Sequence, residues 1–199
     1  MTSAPGIAAA SAPASTSASR SASASAHLGI AEAGKIAALA GDHVQALRHY
    51  REALHRVQAE AAPEVFFRHY TQCVLESLER TGAFDEIVEY CERADAHYRS
   101  FPHLTGFQRR DHGALLERLG AVQVKAGRPE DALRTLTRAL ETAGDPALPL
   151  ARDLLYWLRR GLHVDARRLT ALQDRHHYFS VRPDQVDPSI ATALPASLP

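Results

Sequence analysis

The sequence holds little that would announce a chemistry. Its 199 residues include two cysteines, one tryptophan, one methionine and only two lysines, Lys35 and Lys125. Cys73 and Cys91 lie 18 positions apart with no second pair, so they can form neither a disulfide framework nor a four-ligand zinc site. They read as free thiols in a reducing compartment. Net charge is also missing, because 23 Lys+Arg balance 23 Asp+Glu along the chain. That balance excludes broad nucleic-acid binding, which draws most of its affinity from cations laid against phosphates. No run approaches the roughly 18–20 apolar residues of a membrane span, so no membrane association is expected. A Gly-rich phosphate loop, a GxSxG turn and an isolated acidic pair in an apolar setting are absent as well.

Both ends are compositionally biased. Residues 1–26 contain ten alanines and eight serines, with Ile7 the one large apolar side chain after Met1. Small side chains cannot offset an ordering cost of about 1–2 kcal/mol per residue, so this segment is expected to be a disordered tail. It lacks the basic start and apolar run of a secretory signal, and the arginines of a transit peptide. The chain is therefore expected to be cytoplasmic. Residues 181–199 carry Pro183, Pro188, Pro195 and Pro199 and read as an irregular, mostly solvated strap. One domain of ordinary size remains, residues 27–180.

Within that domain a spacing recurs. Gly41 is followed at +5, +9, +12, +13 and +16 by Ala46, Tyr50, Ala53, Leu54 and Val57. The same offsets from Gly82 give Ile87, Cys91, Ala94, Asp95 and Tyr98, and from Gly127 they give Ala132, Leu136, Ala139, Leu140 and Ala143. Steps of four, three, one and three trace a single stripe on a helix of 3.6 residues per turn, with Asp95 the polar intruder. Seven residues before the turn stand Gly34 and Gly120, small enough for two antiparallel helices to approach closely, whereas Leu75 breaks the pattern. Helix, glycine turn, helix is the unit, and the fold class is all-α. Pro63, Pro129 and the pair Asp145–Pro146 mark helix starts. Beyond Pro146, Leu150, Leu154, Leu155, Leu158 and Leu162 predict a further amphipathic helix. Ala166, Leu169 and Leu172 predict a last one. Arginines 152, 159, 160, 167 and 168 would face water, with Trp157 partly beneath. This pair reads as a C-terminal cap, the alternative being a weak fourth unit.

These phrases resemble the tetratricopeptide repeat family, in a long-helix variant. Gly34, Gly41, Asp42, Ala46, Tyr50, Ala53 and Leu54 match its motif in order. Gly120, Gly127, Ala132, Ala139 and Leu140 match in the third unit, and Gly82, Phe84 and Ala94 in the second. The glycines are 41 and 45 residues apart instead of the family's 34. Extra residues of about two and three helical turns would keep the buried face in phase. The resemblance implies an α–α superhelix, or solenoid, of about three hairpins plus capping helices. It also implies a concave groove lined by first helices, which carries Lys35 from the first unit, His69, Gln72, Cys73, Glu76 and Arg80 from the second, and Glu117, Arg118 and Lys125 from the third. Family members that clamp an acidic chaperone tail use two lysines, two asparagines and an arginine. Ala31, Lys35, Cys73, Ala114 and Arg118 stand here, which excludes that clamp.

The expected function is a non-catalytic adaptor or scaffold that binds a partner protein's peptide or helix in this groove, as an accessory part of a larger bacterial assembly. Ala- and Arg-rich usage points to a GC-rich bacterial source. A peptide-sensing regulatory protein is the alternative, and a thiol-dependent enzyme built on Cys73 with His69, four residues away, is a third reading. No cofactor or metal is implied. Of the eleven histidines, His43, His49 and His55 are six apart and spread around their helix, so all are expected to be solvated. Tyr178 and Phe179, where the chain leaves its last helix, either fold back or are offered to a partner.

Overall fold

The computed structural model describes residues 16–144 and 147–194, and every regular element among them is helical. Eight α-helices follow one another: α1 (Thr16–Leu39), α2 (His43–Ala59), α3 (Glu64–Thr81), α4 (Phe84–Arg99), α5 (Gly106–Lys125), α6 (Pro129–Ala143), α7 (Pro149–Arg159) and α8 (Ala166–Arg175). Two 3-10 turns, Pro183–Gln185 and Pro188–Ile190, interrupt the C-terminal segment. The tail expected over 1–26 falls outside the described residues up to position 15. From Thr16 onward the chain is already α1, since alanine is the best helix former and extending an existing helix needs no new nucleus. Asp145 and Pro146 lie outside the described residues, and α7 opens with Pro149 in its first turn.

The glycine turns are built alike. Gly41, Gly82, Gly127 and Gly161 all have φ between 65° and 82°, the left-handed region that glycine enters without a Cβ clash. After each, the next amide reaches back five residues: Asp42 to Ala37 O, Ala83 to Leu78 O, Arg128 to Gln123 O and Leu162 to Trp157 O. This double closure satisfies carbonyls that the helix end would otherwise orphan. It also ends α7 before Leu162, which the sequence pattern counts as helical and which is exposed beyond the turn. Starts are fixed by Asp42 and Asp165 side chains, which accept from Gln45 and Arg168 amides, and by a reciprocal Thr105–Gln108 capping box.

The predicted stripe faces inward. Ala46, Tyr50, Ala53 and Val57 are buried on α2, Ile87, Cys91 and Asp95 on α4, and Ala132, Leu136 and Ala139 on α6. The first and third hairpins cross at the glycine seven residues before the turn. A Cβ on Gly34 would sit 2.7 Å from the Tyr50 ring, and one on Gly120 would sit 2.5 Å from Leu136. The same offset in the second hairpin pairs Leu75 with Cys91, and both are buried in one cluster. Helices α3 and α4 meet less closely than α1 with α2 or α5 with α6, which leaves room for Leu75. Farther along, Leu154 and Leu155 of α7 join Leu169 and Leu172 of α8 over the α5–α6 face, with Trp157 half-buried against them. Two histidines depart from the expected solvation: His27 and His112 are buried, because each finds a polar partner inside, the Tyr70 hydroxyl at 2.8 Å and Asp95 at 2.7 Å.

Asp95 is the intruder on the stripe, and its neighbours explain its tolerance. It accepts from His112 Nε2 at 2.7 Å and from Arg138 Nη2 at 2.8 and 3.0 Å, with Arg99 Nε at 3.3 Å. Burial opposes the charge, but the His112 and Arg138 hydrogen bonds outweigh it and hold this carboxyl below its usual range. A depressed carboxylate stabilises the fold above the ordinary value near 4, and that contribution is lost as pH falls through the lower folded value. Asp95→Ala is expected to cost about 2 kcal/mol at pH 7 in urea unfolding. The deficit should shrink as pH falls below about 4, where the unfolded chain takes up the proton, and vanish below the lower folded value. A pH-independent deficit would contradict the charged pairing. Gly120→Ala is expected to lower the melting midpoint by about 5 °C despite alanine's higher helix propensity, since overpacking costs about 1–3 kcal/mol. A raised midpoint would mean that the helices do not approach so closely.

Candidate functional site

Helix α3 carries two carboxylates three residues apart, hence on one face, and both are buried: the Glu76 side chain is 5% exposed and that of Glu79 0%. Buried charge demands partners. Glu79 has four: Arg118 Nη1 at 3.0 Å and Lys125 Nζ at 2.8 Å from α5, Gln173 Nε2 at 2.8 Å from α8, and the Tyr178 hydroxyl at 2.9 Å. Glu76 accepts instead from main-chain amides, Ser180 N–H at 2.6 Å and Val181 N–H at 3.0 Å, with Arg118 4.0 Å away. Arg118 is itself buried. Burial would lower its pKa, but the Tyr178 hydroxyl, Glu79 and Glu76 carry it above the ordinary guanidinium value, so it stays charged.

The residues that meet these carboxylates belong to the C-terminal segment. Helix α8 ends with His177 in the left-handed region (φ 50°), and Tyr178 N–H returns to Gln173 O at 2.9 Å, the same closure that the glycine turns use. The chain is thereby directed onto the face formed by α1, α3 and α5. Tyr178 lies beneath Arg118, 4.8 Å from ring centroid to guanidinium carbon. Phe179 sits between Arg80 at 3.9 Å and Lys125 at 5.6 Å. Val181 then packs against the buried cluster of Ala46, Tyr50 and Cys73. Farther on, Asp187 N–H donates to Glu32 Oε2 at 3.0 Å, Thr192 N–H donates to Gly29 O at 2.9 Å, and Leu194 joins Ile30 and Tyr70. A single segment, residues 176–194, thus crosses all three first helices.

The residues assigned to the groove divide accordingly. Glu76, Arg80, Arg118 and Lys125 converge on this segment. Lys35 is buried and pairs with Glu32 at 2.7 Å, so it steadies the carboxylate that receives the Asp187 amide. Gln72 is turned aside, lining a cleft between α3, α4 and α5 with Tyr90 and Tyr98. Glu117 accepts the Ala151 amide at 2.7 Å, where it caps the first turn of α7 and leaves the shared face; burial raises its pKa despite that bond. Glu79 has the most partners in the cluster and escapes the sequence reading, which assigns Glu76 and Arg80 to the groove. The available signal was the i, i+3 spacing of Glu76 and Glu79 on a helix otherwise apolar at Leu75 and Leu78. Tyr178 and Phe179, open to either outcome in the sequence, pack on their own chain.

His69 and Cys73 do come together, with Nε2 3.9 Å from Sγ. The chemistry runs against an activated thiol. Burial pushes Cys73 up to about 12, and burial together with Lys35 lowers the His69 pKa, so the neutral pair is favoured over thiolate and imidazolium. Native protein at pH 8 is expected to leave Cys73 unalkylated by iodoacetamide over an hour, while urea-unfolded protein reacts at both cysteines. Rapid native labelling of Cys73, mapped by peptide mass, would restore the thiol as a reactive group.

Compared with family models, curated proteins and solved structures, the chain matches none of them.

Proposed function

We propose that the chain is a tetratricopeptide-like adaptor whose helix hairpins stack into a short solenoid, with α7 and α8 closing it, and whose concave groove binds a peptide or helix of a partner protein. One observation carries this reading. The shared face of α1, α3 and α5 already accommodates an irregular peptide segment, residues 176–194, through main-chain N–H groups on Glu76, Glu32 and Gly29 and through aromatic rings under Arg118 and Arg80. Backbone received by fixed acceptors, with side-chain pockets between them, is how a groove selects a peptide without a dominant charge. The regulatory, peptide-sensing alternative gains from the same observation, because a groove filled by its own chain has two states to choose between.

The test uses a photo-crosslinking amino acid in the full chain, expressed in its source cells. Placed at Arg80, or at Leu39 in the same cleft, it is expected to capture the same partner protein. Placed at Glu89, on the exposed side of α4, it should capture none. Equal capture from Glu89 would remove the groove as the binding surface. Arg118 is unsuitable for such a test, since its burial makes any substitution there a folding defect.

A further inference from the structure

The C-terminal segment is not held evenly. Its first part is anchored, with Phe179 buried and Tyr178 bonded to Glu79. Residues 183–194 are different. Most are exposed, including Ile190 at 46%, and two main-chain hydrogen bonds and the Leu194 contact tie them to α1 and its neighbours. Such a segment sits at the low end of local stability. Yet α1 is shaped for it. Gly29 lies inside a helix, where glycine costs about 1 kcal/mol relative to alanine. A Cβ there would fall 2.2 Å from Thr192 Oγ1 and 2.6 Å from Ile190 O, and the three nearest atoms to that position all belong to the strap. The helix therefore gives up intrinsic stability at the point where an extended backbone must lie against it.

From this we infer that residues 183–194 are an intramolecular occupant of the groove, which a partner must displace. The inference rests on the proposed groove reading. The strap also defines the ligand. It is a segment with one 3-10 turn, as at Pro188–Ile190, between two N–H groups five residues apart, as at Asp187 and Thr192. It carries a small residue over Gly29 and an aliphatic side chain two positions later, as at Leu194. A strap in place nine-tenths of the time or more would weaken apparent affinity for such a ligand at least tenfold.

Two full-length variants separate the groove from its occupant. Asp187→Pro with Thr192→Pro removes both strap N–H donors and leaves the groove intact. Gly29→Ala fills the gap in α1 and favours the helix. The probe is a fluorescein-labelled peptide of residues 182–194, read by anisotropy, with hydrogen exchange of 183–194 and the helical circular dichroism followed in parallel. Exchange in the strap should rise in both variants at unchanged helicity. The double-proline variant should bind the peptide at least tenfold more tightly than wild type, and Gly29→Ala should not bind it. Equal affinity of wild type and double-proline variant would overturn the occupant while leaving the groove reading standing. So would strap exchange that stays slow in both variants. A double-proline variant whose strap exchanges freely but which binds no peptide would overturn the groove reading and the inference together.

Discussion

The first and third helix hairpins depend on a crossing where one partner has no side chain. Gly34 receives the Tyr50 ring and Gly120 receives Leu136. Interiors pack to crystal-like density, so neither a void nor a clash is free at these points. The glycine turns seven residues away then close each hairpin with the same pair of hydrogen bonds. Once the crossings and turns are set, the first helices α1, α3 and α5 are brought to a common face.

That face has an unusual interior for a chain without net charge. Glu76, Glu79 and Arg118 are buried together, with Lys125 nearly so. An isolated carboxylate in such a place would be driven to protonate, yet Glu79 gathers two cations, an amide and a phenol around its two oxygens. Part of this company arrives from the far end of the chain. Gln173, Tyr178, Ser180 and Val181 lie about 100 positions from Glu76 and Glu79, so the site is complete only when the C-terminal segment has folded back. The distal strap adds little to that network: it is tied to α1 by two main-chain hydrogen bonds and is mostly exposed.

Much of the architecture was legible in the residues. Periodicity located the six helices of the three hairpins, the glycines located the turns, and the apolar stripe named the buried side chains of α2, α4 and α6. Local rules suffice there, since a 3.6-residue period and a left-handed turn are properties of neighbouring residues. The buried histidines were not legible. His27 and His112 are inside because Tyr70 and Asp95, 43 and 17 positions away, satisfy them. Glu117 looked like a groove residue by its register and became a cap for α7.

The sequence by itself determined the hairpin helices, their glycine turns and most of the inward stripe, because these follow from contacts a few residues long. Only the tertiary structure decided what the shared face holds. Whether Glu79 is a buried junction or a surface charge, and whether Tyr178 and Phe179 meet their own chain or solvent, depends on where a segment 100 residues distant comes to rest. Long-range closure of that kind is settled by the summed burial and pairing of the whole fold, a quantity no local pattern contains.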